Sequence, residues 1–217
     1  MPLRNWLKVH HHHTTYMDNV SSIKELPLMY QPLASYILQR HKVDHEKLKD
    51  ICSFFQPLKA HRKQVLINYD ETCREYYFIN SGCLRLFTVS NAGIETSRYF
   101  AFDGMFVTAL PSFIDQRPAL EYLQAIEKSE LLVISRKNFF QLVDTVPEFS
   151  HIYREILELG FVNAQKRIYG FQGYNALEKV RWVIESQPNF LLRVSNKMAA
   201  SYLGISPSTL SRTKSRL

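Results

Sequence analysis

The sequence predicts an α+β protein in which a β-sandwich or barrel is followed by a long helix and then by a helix-turn-helix. Three observations lead to this prediction. Short runs rich in β-branched and aromatic residues fill residues 63–135, with turn signals between them. Apolar residues recur at helical spacing from residue 148 onward. A turn glycine lies between two serines that are suited to capping helices, inside the last thirty residues.

Composition restricts the classes to which the protein can belong. The chain has 217 residues with a formal net charge of +7, and 46% of its residues are hydrophobic, which is enough for a real core. No apolar run approaches the roughly 18–20 residues that cross a bilayer, and the first residues lack a long apolar stretch that would direct secretion. Cys52, Cys73 and Cys83 are an odd number at wide spacing, so we expect a reducing cytoplasm rather than a disulfide framework.

Residues 1–22 read as a flexible, irregular tail that contains four histidines at residues 10–13. Adjacent histidines can bind a metal ion, but without a scaffold they make a poor selective site. We therefore expect a tag remnant or a disordered leader, and Met17 is an alternative natural start.

The elements before and within the β region follow from their spacing. Residues 32–55 predict helices, because apolar residues recur every three or four positions; these are Leu33, Ile37, Leu38, Leu48, Ile51, Cys52 and Phe55. In the β region, Gly82, Gly93 and Gly104 stand eleven residues apart. Regular turn spacing of this kind is typical of an all-β sandwich or barrel.

A long helix is predicted after Pro147. One face carries apolar residues in steps of three and four, at Phe149, Ile152, Ile156, Leu159 and Val162. Gly170 and Gly173 mark the end of this helix. The narrow apolar stripe could pack on the protein's own barrel, but we favour pairing with a second copy. Residues 175–186 predict another helix, and residues 190–194 an apolar link.

The strongest local pattern is the helix-turn-helix itself. Ser195 is placed to cap a first helix, and Ala200 is small enough to let two helices cross closely. Gly204 stands at the turn, Ser206 is placed to cap the second helix, and Pro207 occupies its first position. We expect Leu203, Ile205 and Leu210 to form a small core between the helices. A small residue, a turn glycine and buried aliphatic residues at this spacing favour a DNA-binding motif over a plain αα-hairpin with a basic surface.

The residues expected to contact DNA follow from this placement. Residues 188–217 hold five basic side chains and no acid, which fits a phosphate-binding surface. We expect Arg212 to contact guanine, and Lys197, Lys214 and Arg216 to neutralise phosphates. The polar residues that open the second helix complete the expected surface, and these are Ser206, Ser208, Thr209 and Ser211.

Several runs together resemble the Crp/Fnr (cyclic-AMP receptor/fumarate-nitrate regulator) family, in its Bacteroidetes branch. The resemblance extends from about Leu33 to the end of the chain and is carried by YFINSGCLRLF at residues 77–87, YFAFDG at 99–104, IEKSEL at 126–131 and AASYLGISPSTLSR at 199–212.

The resemblance implies a β jelly roll of the cyclic-nucleotide-binding kind, a long dimerisation helix and a C-terminal winged helix-turn-helix. The implied division is a tail at residues 1–22, an effector domain at 23–147, a dimerisation helix at 148–173 and a DNA-binding domain at 174–217. Wing strands would lie within residues 190–194 and after Leu217. The implied function is a cytoplasmic bacterial regulator that binds a pseudo-palindromic operator in double-stranded DNA as a homodimer, with no membrane association. RNA polymerase is a further partner that the resemblance allows, and the effector is unknown.

The expected effector pocket departs from the family pattern. Cyclic-AMP binders follow the cassette glycine with a glutamate, but here Met105 and Phe106 follow Gly104. The family's arginine and serine positions fall on Ala119 and Leu120, and Arg117 lies two residues early. Because the ribose carboxylate and the phosphate cation are both lost, we do not expect tight cyclic-nucleotide binding. A cyclic-nucleotide or other small-anion sensor that uses the same barrel is the alternative.

Other chemistry on a jelly roll has little support in the sequence. A metal-dependent cupin enzyme needs histidines on facing strands, and no histidine occurs between His61 and His151. Three scattered cysteines cannot hold a four-cysteine iron–sulfur cluster, and no haem ligand is identifiable. We therefore expect no enzyme activity, no catalytic residues, no metal site and no cofactor.

Overall fold

The computed structural model describes residues 23–216. The predicted tail with its histidine run, and Leu217, lie outside the described residues. The helices are α1 (Gln31–Leu38), α2 (His45–Ser53), α3 (Leu110–Asp115), α4 (Arg136–Thr145), α5 (Pro147–Gly173), α6 (Ala176–Ser186), α7 (Phe190–Arg193), α8 (Asn196–Leu203) and α9 (Pro207–Lys214). The strands are β1 (Gln56–Ala60), β2 (Val65–Ile67), β3 (Glu75–Ser81), β4 (Leu84–Val89), β5 (Glu95–Ala101), β6 (Phe106–Val107), β7 (Tyr122–Ala125) and β8 (Ser129–Ser135).

The strands form two antiparallel four-stranded sheets. The first sheet has the order β1-β8-β3-β6 and the second the order β2-β7-β4-β5. Phe78 and Leu132 from the first sheet and Leu86 and Leu123 from the second belong to one buried cluster. Burial of each such side chain contributes about 1.5–3 kcal/mol, so the two sheets close into a barrel-like body around a shared core.

Helices seal one end of this body through a group of aromatic rings. Phe139 of α4 stacks on Tyr76 of β3 with ring centroids 4.9 Å apart. Phe113 of α3 meets Tyr76 edge-on at 5.2 Å, and Phe149 of α5 meets Phe139 edge-on at 5.4 Å. Edge-to-face pairs add to the free energy gained by burial alone, so α5 starts firmly attached to the barrel.

Four elements of the barrel domain were not predicted from the sequence, namely β1, β6, α3 and α4. The β region begins before residue 63, because residues 56–60 form β1 at the edge of the first sheet. Pro57 obscures that strand, although an edge strand tolerates proline. Helix α3 lies between β6 and β7, and α4 follows β8. Ser135 caps α4 by accepting a hydrogen bond from the Asn138 N–H.

The apolar stripe of the long helix divides into two parts. Phe149 and Ile152 are fully buried against the barrel. Leu159 and Val162 are 56% and 45% exposed. The alternative that the stripe packs on its own barrel therefore holds for the first turns of α5 only.

The C-terminal helices, α6 to α9, are called here the C-terminal helical unit. As predicted, Ser195 caps α8 and Ser206 caps α9 through hydrogen bonds from the Met198 and Thr209 N–H groups. Gly204 is left-handed, with a φ of +63°. Asn175 caps α6 in a reciprocal capping box with Glu178.

The expected wing strand within residues 190–194 is wrong, because the segment is helical. Phe190–Arg193 forms α7, and the Val194 N–H donates to the Phe190 carbonyl at 2.9 Å. Phe190 and Val194 are buried while Leu192 is 85% exposed, which favours the helical turn, since in an extended strand all three side chains would lie on one face.

Gly82→Ala tests how tightly the barrel closes at the turn before β4. Gly82 has a φ of +117°, and a Cβ there would lie 2.7 Å from the Ser129 Cα. We expect the free energy of unfolding to fall by about 2–4 kcal/mol in a denaturant titration, from backbone strain and overpacking together.

Gly93→Ala is the matched control, because Gly93 also has positive φ (+74°) but a Cβ added there would meet no atom within 4 Å. It should lose only about 1 kcal/mol, the cost of the strained backbone. Equal losses for the two variants would contradict the close contact with Ser129.

Candidate nucleic-acid interface and effector cavity

The exposed face of α9 is made of short hydroxyl side chains and one guanidinium. Leu210 and Thr213 are buried against the rest of the C-terminal helical unit. At 100° per residue, Ser208, Ser211 and Arg212 lie on the opposite side of the helix. All three are exposed.

The capping serine ties the first turn of α9 together. Ser206 Oγ lies 2.9 Å from Ser208 Oγ and 2.8 Å from Thr209 Oγ1, and it accepts from the Thr209 N–H at 3.0 Å. Thr209 is half-buried, so its hydroxyl serves the cap. Of the predicted contact residues, Ser206 and Thr209 thus also have a structural role.

The basic side chains of this surface differ in their partners. Lys197, Arg212, Lys214 and Arg216 are exposed, and within residues 23–216 none of them is in a salt bridge. Arg193, from the same acid-free block, bonds to two carboxylates of the barrel. Four of the five cations therefore remain available to an external anion.

One hydrogen bond joins α8 to α9, and the turn between them packs closely against α5. Asn196 Nδ2, in the first turn of α8, donates to the Pro207 carbonyl in the first turn of α9 at 3.2 Å. At the turn, a Cβ on Gly204 would lie 3.1 Å from the Phe171 ring, so only glycine allows α5 to approach this closely.

The C-terminal helical unit packs against the outer face of the second sheet. The Phe100 ring of β5 meets Phe190 edge-on at 5.2 Å and Tyr202 at 5.4 Å. Ser201 Oγ donates to Ser97 Oγ at 2.9 Å and accepts from the Ser97 N–H at 3.2 Å. These contacts join α7 and α8 to β5.

Arg167 of α5 also joins β5 to α8. It donates to the Tyr202 carbonyl at 3.2 Å and to the Ser97 carbonyl at 3.5 Å, and its guanidinium lies 4.2 Å from the centroid of the Tyr202 ring. Burial lowers the pKa of Arg167 below its usual value. The guanidinium is held by carbonyls and aromatic faces, within the part of the chain that the structure covers, and not by a carboxylate.

Arg193 completes the attachment as an ionic bridge. Its two terminal nitrogens bond separately to Asp103, after β5, and to Glu127, after β7. Burial opposes ionisation of Asp103, but the guanidinium and the Gly82 N–H outweigh it and hold the pKa of that carboxyl below its usual range. A guanidinium is suited to bridging because its donors point in two directions at once.

A cavity of about 500 Å³ lies on the inner side of β5, between that strand, α3 and the segment before β7. Arg117, Ala119 and Leu120, three of the six predicted pocket residues, line it. Gly104, Met105 and Phe106 do not. The Gly104 N–H donates to the Ile79 carbonyl at 2.8 Å, and Met105 and Phe106 pack in or against the core.

Sequence reasoning missed the ion pair in the cavity wall. Arg98 Nε and Nη2 donate to the two carboxylate oxygens of Glu121 at 2.6 and 2.7 Å. The Glu121 side chain is only 9% exposed. Its one sequence signal was an acid within an otherwise apolar run that leads into β7, and a buried acid requires a partner.

A β-bulge gives Arg98 its position. Leu86 pairs with Tyr99, and Phe87 pairs with Ser97, so Arg98 is an extra residue in β5. The bulge turns Arg98 toward the cavity, while Ser97 and Phe100 lie on the outer face against the C-terminal helical unit.

No helix among residues 23–216 is both long and apolar enough to span a membrane.

Comparison with known proteins supports the fold. Residues 57–146 match the family model described as the cyclic nucleotide-binding domain. No curated protein matches the chain by sequence. FixK2 from Bradyrhizobium japonicum is similar with a TM-score of 0.67 at 15% identity, covering 75% of this chain and 84% of that chain.

Two further solved structures agree with this result. The c-di-GMP-responsive global regulator CLP from Xanthomonas campestris has a TM-score of 0.63 at 15% identity, covering 80% of this chain and 91% of its own. A transcriptional regulator of the Crp/Fnr family from Eubacterium rectale has a TM-score of 0.61 at 16% identity, covering 80% and 83%. The predicted resemblance is confirmed for the fold, since the chain folds like these Crp/Fnr regulators and residues 57–146 match a cyclic nucleotide-binding domain. The Bacteroidetes branch stays a prediction.

Proposed function

We propose that the chain is a dimeric, DNA-binding transcriptional regulator of the Crp/Fnr type whose barrel has lost the contacts for cyclic AMP. The observation that carries the proposal is α9, a capped helix that exposes Ser208, Ser211 and Arg212 beside cations without a partner among the described residues. An exposed, positively charged helix held at a fixed angle to a second helix suits the major groove.

In this proposal α8 and α9 are the helix-turn-helix. The exposed face of α9 enters the major groove, where Arg212 bonds to the O6 and N7 atoms of guanine. Lys197, Lys214 and Arg216 neutralise phosphates on either side. Because residues 190–194 are helical, they supply no wing strand to contact phosphates.

The proposed division of labour follows the order of the elements. Residues 23–147 form the effector domain, 148–173 the dimerisation helix and 174–217 the DNA-binding domain. Operators lie in the bacterial cytoplasm, so the protein acts there, and RNA polymerase is a further candidate partner. The proposal assigns no catalytic residue, metal or cofactor.

Dimerisation is supported by the second half of α5. Leu159, Val162 and Tyr169 are spaced by three and seven residues and are 56%, 45% and 65% exposed. This spacing matches the 3-4 repeat of paired helices. A two-fold pair through this face would set two copies of α9 in successive major grooves about 34 Å apart on a pseudo-palindromic site.

The loss of cyclic-AMP contacts is supported by the cavity wall. The cyclic phosphate requires a free cation, but Arg98 already donates two hydrogen bonds to Glu121. Arg117 is exposed at the rim. A sensor for a cyclic nucleotide or another small anion is the second candidate, favoured by the family match at residues 57–146 and by Arg117.

Arg212→Ala and Lys197→Ala separate base reading from phosphate binding. Against an operator selected from randomised duplexes, Arg212→Ala should lose about 1–3 kcal/mol of discrimination at one base pair. Lys197→Ala should weaken binding to all sequences alike and lower the salt slope of log K by about 1. Anisotropy titrations at several salt concentrations measure both effects.

Arg62→Ala is the control for charge alone, because Arg62 is exposed on the turn between β1 and β2. It should leave both quantities unchanged. If Arg212→Ala binds every sequence as the unmodified protein does, Arg212 does not read bases.

Leu159→Glu tests the dimer. A carboxylate within the apolar contact of α5 should shift the protein from dimer to monomer at micromolar concentration, because a buried unpaired charge is costly. Leu192→Glu is the matched control, since Leu192 is 85% exposed and lies outside α5. Sedimentation that finds only monomer for the unmodified protein would rule out the dimer.

Calorimetry with cyclic AMP and cyclic GMP tests the effector argument. We expect no heat of binding, since the Arg98 guanidinium that a phosphate would need is already bonded to Glu121. A fit with a submicromolar Kd would instead establish the cyclic-nucleotide sensor.

A further inference from the structure

Strand β5 is the element that separates the cavity from the C-terminal helical unit. Arg98 faces the cavity, and its immediate neighbour Ser97 is fully buried against α8. Arg98 therefore bonds to Glu121, while the preceding residue, Ser97, bonds to Ser201. A displacement of the bulge acts on both sides of the strand, because neighbouring residues share one peptide plane.

The docking contact on the outer side depends on the position of the Ser97 backbone. Its N–H donates to Ser201, and its carbonyl accepts from Arg167. Hydrogen bonds weaken steeply with distance and angle, so a shift of under an ångström in β5 is enough to break them. The aromatic contacts of Phe100 are less sensitive to a shift of this size.

Glu121 holds the bulge from the inner side. Its carboxylate is nearly buried and meets the guanidinium of Arg98 through two parallel bonds. This bidentate geometry fixes the direction of the guanidinium as well as its distance. The chain between Glu121 and Glu127 forms β7, which itself pairs with β4 beside β5.

Arg193 attaches the C-terminal helical unit to the barrel at a second place, away from the β5 bulge. Its partners Asp103 and Glu127 lie outside the cavity lining. Besides the aromatic contacts of Phe100, the unit is thus held by two sets of hydrogen bonds, one to the carboxylates that Arg193 bridges and one that passes through the β5 bulge.

We propose that the Arg98–Glu121 ion pair positions β5 for docking, so that breaking this pair inside the cavity releases the C-terminal helical unit from the second sheet. This device rests on the proposed function, because it supplies the step by which the effector cavity controls the DNA-binding helices. Arg98 and Glu121 act through Ser97 and are positioning residues.

The molecule carries its own reporter of release. Cys83 is fully buried in the cluster that the C-terminal helical unit forms with Phe100 and Ile126. Burial raises the pKa of its thiol, which keeps the thiol unreactive while the unit is docked. Cys52 and Cys73 are buried in the barrel core instead, and burial raises the pKa of Cys52 to about 12.

The experiment measures maleimide labelling of the three cysteines by peptide mass spectrometry on the full chain. Glu121→Gln should raise the Cys83 labelling rate about fivefold, and Arg193→Ala roughly tenfold, because labelling follows the population of the released state. Cys52 and Cys73 should label at the same slow rate in every variant, which shows that the barrel stays folded.

Asp115→Asn is the matched control. It makes the same carboxylate-to-amide change in the same cavity lining, but Asp115 lies on α3 and has no salt bridge within residues 23–216. Its Cys83 rate should stay within about twofold of the unmodified protein.

Two results would overturn the proposal. If Glu121→Gln labels Cys83 as slowly as Asp115→Asn while Arg193→Ala labels it faster, docking does not depend on the ion pair. If Arg193→Ala also labels slowly, the unit is not released at all. DNA binding is measured on the same samples: its absence in the unmodified protein would refute the proposed function, whereas the labelling rates report on the docking device regardless.

Discussion

The second half of strand β5 is buried on both faces, and this constraint organises the molecule. Phe100 and Ala101 are neighbours that point to opposite sides, and both are almost completely buried. Ala101 belongs to the barrel core and Phe100 to the second cluster with the C-terminal helices. An antiparallel sheet usually leaves one face to solvent, so this strand obliges another part of the chain to cover it. The helices that we propose bind DNA provide that cover, and they are therefore joined physically to the wall of the cavity.

The local features of the C-terminal helices could be predicted because their causes are local. Ser195, Ser206 and Pro207 act within one helical turn, and Gly204 is required by its own φ angle. The turn glycines and the helical spacing after residue 147 likewise depend on residues that are close in the sequence. The barrel strands were harder to predict from the sequence. Strand β1 contains a proline and can be recognised as a strand only from its position at the edge of the sheet.

The features that sequence reasoning missed are pairings over long distances. Arg193 belongs by sequence to a basic, acid-free block, but its partners stand 90 and 66 residues away. Arg98 and Glu121 are 23 residues apart and meet only because a bulge turns one toward the other. The family pattern predicted a pocket at Gly104, Met105 and Phe106, but the last two pack in or against the core. The other half of the predicted pocket residues line the cavity. The sequence spacing of Arg98 and Glu121, or of Arg193 and its two partners, does not indicate that these side chains meet.

The uneven attachment of α5 has a mechanical consequence. Its start is clamped to the barrel by Phe149 and Ile152, and its end bears on the C-terminal helices through Arg167 and Phe171. The stretch from residue 156 to 171 is a lever of about 22 Å at roughly 1.5 Å per residue. Tilting it by about 10° would carry the far end about 4 Å, more than the roughly 3.4 Å that separates stacked base pairs. A rotation of this size would break the bond from Arg167 to Ser97 and move the C-terminal helices by about one base-pair step.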